Sequence, residues 1–177
     1  NHSRKIGQLL KHNNQINAVD ISKDGTKIVT AGHDNLIKVW KTSTAKPWGK
    51  IIPHFLGAQV SFFSDNKKVI TSDSLKLRAE DVVPGKPSSR TRIWDINSLK
   101  KIAGPYVEEG GWGGIEVSKN GKFYAMGRWN SGILRQIKDG KLLHRVAHAG
   151  VNDVLLVNND QIMITADRDN NIRFWDV

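Results

Sequence analysis

The sequence contains no cysteine and no apolar run long enough to cross a membrane. Without cysteine, disulfides and thiolate metal sites are excluded, and the chain fits an intracellular location, cytoplasmic or nuclear. A membrane-spanning helix needs about 18 or more consecutive apolar residues, and no such run occurs. No basic segment followed by an apolar stretch marks a secretory signal, although the first residue is Asn1 rather than methionine. We therefore expect one sizeable domain of 177 residues that is stabilised by packing.

Blocks of like charge are also missing, although the chain is strongly basic. The formal net charge is +10, from 27 Lys and Arg against 17 Asp and Glu. The excess lies in the first three quarters of the chain, since residues 146–177 contain five acidic and two basic residues. A diffuse basic surface raises the prior for polyanion contact only modestly. Binding of RNA, DNA or another polyanion is therefore the alternative function.

Helical apolar stripes are absent, and the chain instead repeats itself. Two segments share Thr, Asp and Trp at the same spacing: TAGHDNLIKVW at 30–40 and TADRDNNIRFWD at 165–176. A histidine precedes the threonine by 18 residues in the first copy and by 17 in the last. A third copy begins at His54 and ends in RTRIWD at 90–95, where an insertion has pushed Trp94 away. Internal repeats of this length indicate a repeat architecture.

Each copy reads as short strands. INAVDIS alternates apolar and polar residues. KDGT and KNGK carry the Asp-Gly and Asn-Gly signals of tight hairpins. Four short strands about every 40 residues are typical of a propeller blade.

The glycine-rich segment EEGGWGGIEVSKNGKF at 108–123 invites a phosphate-loop interpretation. A phosphate loop requires a preceding strand and a following helix N-terminus. Here a strand pattern and a hairpin turn follow the glycines. The segment also aligns with the first copy, SKNGKF against SKDGTK, so a degenerate repeat is the better interpretation.

On these residues the chain resembles the WD-repeat β-propeller family. The resemblance depends on the histidine before the first strand, the aspartate in a turn and the KVW, RIWD and RFWD endings. It covers almost the whole chain in four repeats, at about 6–46, 47–101, 102–141 and 142–177. It implies an all-β propeller of four-stranded antiparallel blades. Each repeat would begin with the outer strand of one blade and then supply the three inner strands of the next.

The resemblance also implies a buried hydrogen-bonded tetrad of His, Ser/Thr, Asp and Trp in each blade. Repeats one and four carry the complete set: His12, Thr30, Asp34, Trp40, and His148, Thr165, Asp169, Trp175. A hydrolase-like triad is the competing interpretation of the first three. A catalytic set would occur once, whereas a structural one recurs, so we expect a structural role and no enzyme.

The two middle repeats depart from the tetrad pattern. Repeat two keeps His54, Thr71 and Trp94, with Asp73 or Asp81 as replacement acids. Repeat three has lost the set, with Glu108, Met126, Asn130 and Gln136 at its positions. We expect blade three to be the least rigid blade, or to be braced by a neighbour.

The number of blades poses a problem, because WD propellers usually have seven or eight. Three resolutions remain: two chains join into an eight-bladed homodimer by exchanging ends, the chain is a piece of a longer propeller, or it closes alone. Residues 6–11 would close a ring by pairing beside residues 172–177. An open half-ring would expose a blade face and unpaired strand edges.

The resemblance also implies that partners bind on the rim that carries the turn between the second and third strands of each blade. The insertion at 75–89 in repeat two lies at that turn and would form a basic arm, while other outward-facing residues flank the tetrad acids. The rim candidates are His33, Lys76, Arg78, Lys86, Arg90, Trp129 and Arg168. Exposed Trp beside Arg is a typical hot-spot composition. The expected function is a non-catalytic scaffold that binds a protein or peptide.

Neither a cofactor nor a metal is expected. His144 and His148 lie four residues apart, which is a metal-binding spacing only on a helix. This stretch reads as strand and turn, and the sequence offers no obvious third ligand.

Overall fold

The computed structural model describes residues 10–49, 52–54, 58–74, 87–109, 113–148 and 150–177. The described residues form antiparallel β-sheets, and none of them lies in a helix. The predicted all-β class is therefore confirmed. No candidate membrane-spanning helix is found among these residues.

The strands form four consecutive sheets, which we number as blades 1 to 4. Blade 1 comprises β1 (Ile16–Ile21), β2 (Lys27–Gly32), β3 (Leu36–Lys41) and β4 (Ile52–Pro53). Blade 2 comprises β5 (Gln59–Phe62), β6 (Lys68–Ser74), β7 (Pro87–Asp95) and β8 (Lys101–Glu109). Blade 3 comprises β9 (Ile115–Val117), β10 (Phe123–Gly127), β11 (Ser131–Gln136) and β12 (Leu142–Ala147). Blade 4 comprises β13 (Val151–Val157), β14 (Ile162–Asp167) and β15 (Ile172–Asp176).

Each of the first three blades takes its outer strand from the beginning of the following repeat. Strand β4 lies near the beginning of the second predicted repeat. Strand β8 starts at the last residue of that repeat and continues into the third, and β12 is the first strand of the fourth. Blade 4 has three strands within the described residues. The predicted pairing of residues 6–11 with 172–177 falls largely on residues outside the described part.

The hairpin turns follow the local sequence signals. Gly25 and Gly121 both have φ of +68°, a left-handed conformation that favours glycine. In each turn a serine hydroxyl caps the loop: Ser22 bonds to Asp24, and Ser118 to Asn120. The predicted KDGT and KNGK turns are thus confirmed.

The apolar cores lie between neighbouring blades rather than inside one sheet. Val29, Val39 and Ile52 of blade 1 pack against Val60 and Phe62 of blade 2. Two further clusters join blade 2 to blade 3 and blade 3 to blade 4. A single blade cannot bury both of its faces, so stacking holds the fold together.

The insertion in repeat two separates β6 from β7, at the turn where the sequence places it. Residues 75–86 lie outside the described part, and with them the predicted rim residues Lys76, Arg78 and Lys86. Residues 87–89, predicted as loop, instead begin strand β7, where Pro87 is aligned with Glu109 of β8. The extended pairing with β8 explains this difference.

Candidate functional site

The four predicted tetrad residues of blade 1 lie in one hydrogen-bonded chain. The Trp40 indole N–H donates to Thr30 Oγ1 at 2.8 Å. Thr30 Oγ1 lies 2.7 Å from His12 Nε2, and His12 Nδ1 lies 2.9 Å from Asp34 Oδ1. A histidine that carries its proton on Nδ1 satisfies every group in this chain. The network ties the segment before β1 to strands β2 and β3.

Asp34 is held in its ionised form by this network. Burial would raise the pKa of its carboxyl, but hydrogen bonds from His12 and from the backbone N–H of Asn13 lower it below the usual 3.8. Lys38 adds a cation 3.7 Å from the carboxylate. The acid is therefore fully committed to structural contacts.

Blade 4 has the same chain of Trp, Thr and His, but a different acid completes it. Trp175 Nε1–H donates to Thr165 Oγ1 at 2.9 Å, and Thr165 lies 3.0 Å from His148 Nε2. His148 Nδ1 then meets Asp167 Oδ2 at 3.2 Å. The prediction of Asp169 as the tetrad acid is wrong, because Asp169 is exposed at the turn.

Asp167 makes more contacts than a tetrad acid needs. Its carboxylate forms an ion pair with Arg173 of β15. It also accepts hydrogen bonds from the backbone N–H groups of Asp169 and Asn171, at 2.9 and 3.1 Å. Its side chain is fully buried. Asp169 therefore contributes an N–H donor to the network rather than the acid.

The residue at the end of the second strand decides which acid is used. In blade 1 this residue is Gly32, where a Cβ would lie 2.6 Å from His12 Nδ1 and 2.9 Å from Asp34 Oδ1. The missing side chain leaves room for Asp34 to fold back from the turn. In blade 4 Asp167 occupies the equivalent position and fills that room itself.

Blade 2 follows the arrangement of blade 4. Its Trp94 Nε1–H donates to Thr71 Oγ1 at 3.0 Å, and its acid is Asp73, two residues after the threonine. Asp73 accepts from Arg92 Nη1 at 2.8 Å and lies 3.7 Å from His54 Nδ1. Of the two acids proposed for this repeat, Asp73 makes these contacts, and Asp81 lies outside the described residues.

A cation stands directly opposite the threonine in all three of these blades. Thr30 pairs with Lys38, Thr71 with Arg92, and Thr165 with Arg173. These cations contact the acid of their own blade. The network is therefore a set of five residues rather than four, and the sequence analysis missed its fifth member.

Blade 3 has a buried ion cluster in place of the tetrad. Glu108 occupies the histidine position and accepts from Arg135 Nη2 at 2.9 Å, while Arg128 Nη1 lies 3.5 Å away. Strand register places Arg135, not Gln136, at the position of the tryptophan. Arg128 and Glu108 are both almost fully buried. Blade 3 is thus braced by charges that the sequence analysis did not predict.

Two of the predicted rim residues are joined through one glycine. Trp129 C=O accepts from Gly150 N–H at 2.5 Å, and Gly150 C=O accepts from Arg168 N–H at 3.0 Å. Arg168 also donates from Nε to Asn152 Oδ1 at 3.3 Å. The Trp129 side chain is 51 % exposed. Turns of blades 3 and 4 thus form one continuous surface, the Trp129–Arg168 rim.

The other rim candidates lie elsewhere. His33 occupies the equivalent turn of blade 1, where its N–H donates to Gln15 C=O at 2.7 Å. Arg90 was predicted to belong to a basic binding arm. Its Nε instead lies 3.5 Å from the buried Asp73, so Arg90 takes part in the blade 2 ion cluster.

A cavity of about 270 Å³ opens among the first strands of all four blades. Among its lining residues are Asp20, Glu116 and Lys119. Burial raises the pKa of Glu116 to about 7, and the charges of Asp20, Asp153 and Asp160 reinforce that shift. The acidic residues that act on Glu116 come from blades 1 and 4, so no single repeat of the sequence reveals this cavity.

Among the described residues, no group of three or more His, Asp or Glu side chains could hold a metal ion. His144 lies exposed on the outer strand β12, whereas His148 belongs to the blade 4 network. The two side chains therefore have separate environments.

Comparison with known families matches two segments of the chain. The model described as WD domain, G-beta repeat, matches residues 3–41 and 140–176. These segments contain the complete networks of blades 1 and 4. A WD-repeat pattern is therefore present at the positions where the hydrogen-bonded chains are found.

Two similar proteins are informative. Ribosome assembly protein 4 of Chaetomium thermophilum is 44 % identical over 46 residues, which is 26 % of this chain and 9 % of that protein. The chain thus spans about a tenth of the length of this curated relative. The crystal structure of the computationally designed Ika4 protein superposes with a TM-score of 0.76 at 18 % identity, covering 99 % of each chain. At that identity the likeness shows the fold alone.

Proposed function

We propose that this chain, which belongs to the WD-repeat β-propellers, is a non-catalytic scaffold that binds a protein or peptide on the Trp129–Arg168 rim. WD40 propellers generally mediate protein–protein interactions. The polar sets that resemble catalytic residues recur from blade to blade and are committed to structural hydrogen bonds. On the rim, the half-exposed Trp129 lies beside the exposed Arg168.

The observation that carries this proposal is the exposure of Trp129 on a braced backbone. A large indole that is 51 % exposed contributes little to the stability of its own blade. Its carbonyl is fixed by Gly150, whose own carbonyl fixes Arg168. Trp and Arg are enriched among interface residues that dominate affinity, and pre-ordered backbone lowers the entropic cost of binding.

The chemistry of the two side chains suggests the partner's features. Trp129 offers an apolar surface to a bulky side chain, and the Arg168 guanidinium offers charged donors to a carboxylate. We therefore favour a peptide segment that presents an apolar residue beside an acidic one. His33 extends the same rim position onto blade 1.

A peptide selection tests the proposal directly. Random peptides displayed on phage would be selected against the 177-residue chain and measured by fluorescence anisotropy. We expect Trp129→Ala and Arg168→Ala each to weaken the selected peptides about tenfold or more. Ile102→Ala, an exposed apolar residue on the outer strand of blade 2, is the matched control and should leave affinity unchanged. Peptides that bind both rim variants as tightly as the parent would reject this site.

Polyanion binding is the second candidate, favoured by the net charge of +10. The name of the relative from Chaetomium thermophilum refers to ribosome assembly, which is compatible with an RNA-rich setting. Labelled 20-nucleotide poly(U) would be titrated at 50, 100 and 200 mM salt. Affinity should fall steeply with salt, since phosphate contacts release counterions. Affinity that stays flat would exclude this mode. A cytoplasmic or nuclear location remains a prediction.

A further inference from the structure

Blade 1 presents an apolar face that lacks a neighbour among the described residues. In blades 2 and 3 the two first-strand positions on this side are buried, with exposures of 6 % for Val60, 8 % for Phe62 and 7 % for both Ile115 and Val117. The equivalent residues of blade 1 are Val19 and Ile21, because they pair with the second strand in the same register. Val19 is 67 % exposed and Ile21 is 54 % exposed.

On blade 4, the other face of the sheet is apolar and exposed among the described residues. Residues just before the tryptophan position of the third strand are buried in the preceding blades: Val39 at 3 %, Ile93 at 1 % and Leu134 at 4 %. The equivalent residue of blade 4 is Phe174, which is 69 % exposed. Ile172 on the same strand is 67 % exposed, and Leu155 opposite Ile164 is 50 % exposed.

The two faces are complementary in kind. In the three blade interfaces of the described residues, a face of the blade 4 type packs against a face of the blade 1 type. Their charges are also opposite: residues 10–49 contain six lysines and three aspartates, whereas residues 150–177 contain five aspartates and two arginines. Asp176 shares the open side of blade 4 with Phe174.

We propose that the open faces of blades 1 and 4 are the contact surface for a second copy of this chain. Blade 4 of each copy packs on blade 1 of the other, which gives two identical contacts about a twofold axis and a ring of eight blades. Among the residues that the structure describes, none covers these faces, since Val19 and Phe174 both remain exposed. A second copy supplies both missing faces at once, with the matching charge. This inference is independent of the partner bound at the rim.

Light scattering coupled to size exclusion tests the assembly. We expect the 177-residue chain to elute at twice its monomer mass of 19.8 kDa. A mass of one copy, or a mass that rises with concentration beyond two copies, would overturn the proposal. One copy would point to blades supplied by a longer polypeptide, or to closure of the ring within the chain.

Two single variants and their mixture distinguish this geometry from any other dimer. Val19→Asp blocks only the blade 1 face, and Phe174→Asp only the blade 4 face; each variant alone should be a monomer with parental circular dichroism. The mixture should recover a weaker one-to-one dimer, since one unmodified contact can form between the two variants. Ile102→Asp, outside both faces, should remain dimeric. A dimer that survives either variant alone, or a mixture that stays monomeric, would contradict the head-to-tail contact.

Discussion

Blades 1 and 4 build the same hydrogen-bonded chain but take its acid from different places. In blade 1 the acid is Asp34, four residues after the threonine; in blade 4 it is Asp167, two residues after it. In blade 1, Gly32 has no side chain, so Asp34 of the following turn occupies the space beside the histidine. In blade 4, Asp167 of the strand occupies the equivalent space. Both blades place a carboxylate beside the histidine, although the aspartate that supplies it occupies a different position in the sequence.

The largest expected effect comes from removing the acid of blade 4. Asp167→Ala would leave Arg173 and His148 without their buried carboxylate, and we expect a loss of about 3–5 kcal/mol in the free energy of unfolding. Asp169→Ala removes an exposed side chain and should change stability by less than about 0.5 kcal/mol. Urea unfolding followed by tryptophan fluorescence measures both. An equal loss in the two variants would refute the assignment of Asp167.

A smaller effect is expected from filling the space in blade 1. Gly32→Ala places a Cβ where His12 and Asp34 now lie, and we expect a loss of about 1–3 kcal/mol from overpacking. The double change Gly32→Asp with Asp34→Ala transfers the acid to the strand, as in blade 4. The double variant should be more stable than Asp34→Ala alone. If Gly32→Ala proved neutral, the space would not be what admits Asp34.

The smallest expected effect concerns the cavity, where the charges of Asp20 of blade 1 and Asp153 of blade 4 both raise the pKa of Glu116 of blade 3. Because the folded pKa of Glu116 is raised from 4.5 to about 7, its protonated form favours folding, and this contribution is lost as pH rises from about 4.5 through 7. Glu116→Gln should raise the Tm by about 2 to 4 °C at pH 8. The variant and the parent should melt together at pH 4. A difference of the same size at both pH values would show that ionisation is not the cause.

Much of the fold follows from the sequence, because the apolar alternation and the turn glycines act locally. The spacing of His, Thr and Trp also placed three of the five network positions in blades 1, 2 and 4. The error at Asp169 arose from matching one repeat to another by spacing alone. Repeat two held the corrective signal, since Thr71 and Asp73 have the same separation as Thr165 and Asp167.

Other features could not be read from the chain. Arg135 replaces the tryptophan of blade 3 one residue away from the position that alignment suggested, and only strand register reveals it. An open half-ring was one of the possibilities that the repeat count left, but the sequence does not decide between them, because Val19 and Val60 occupy the same sequence pattern. What separates them is the presence of a neighbouring blade, which is a property of assembly.

Hydrogen exchange of the tryptophan indole N–H groups, followed by NMR, tests most directly whether one network holds the blades. In the folded chain the indoles of Trp40, Trp94 and Trp175 donate to threonine, whereas the Trp129 side chain lies half-exposed on the rim. We expect strong protection at the first three indoles and fast exchange at Trp129. Exchange at Trp175 as fast as at Trp129 would contradict the claim that blade 4 contains the same kind of hydrogen-bonded network as blade 1.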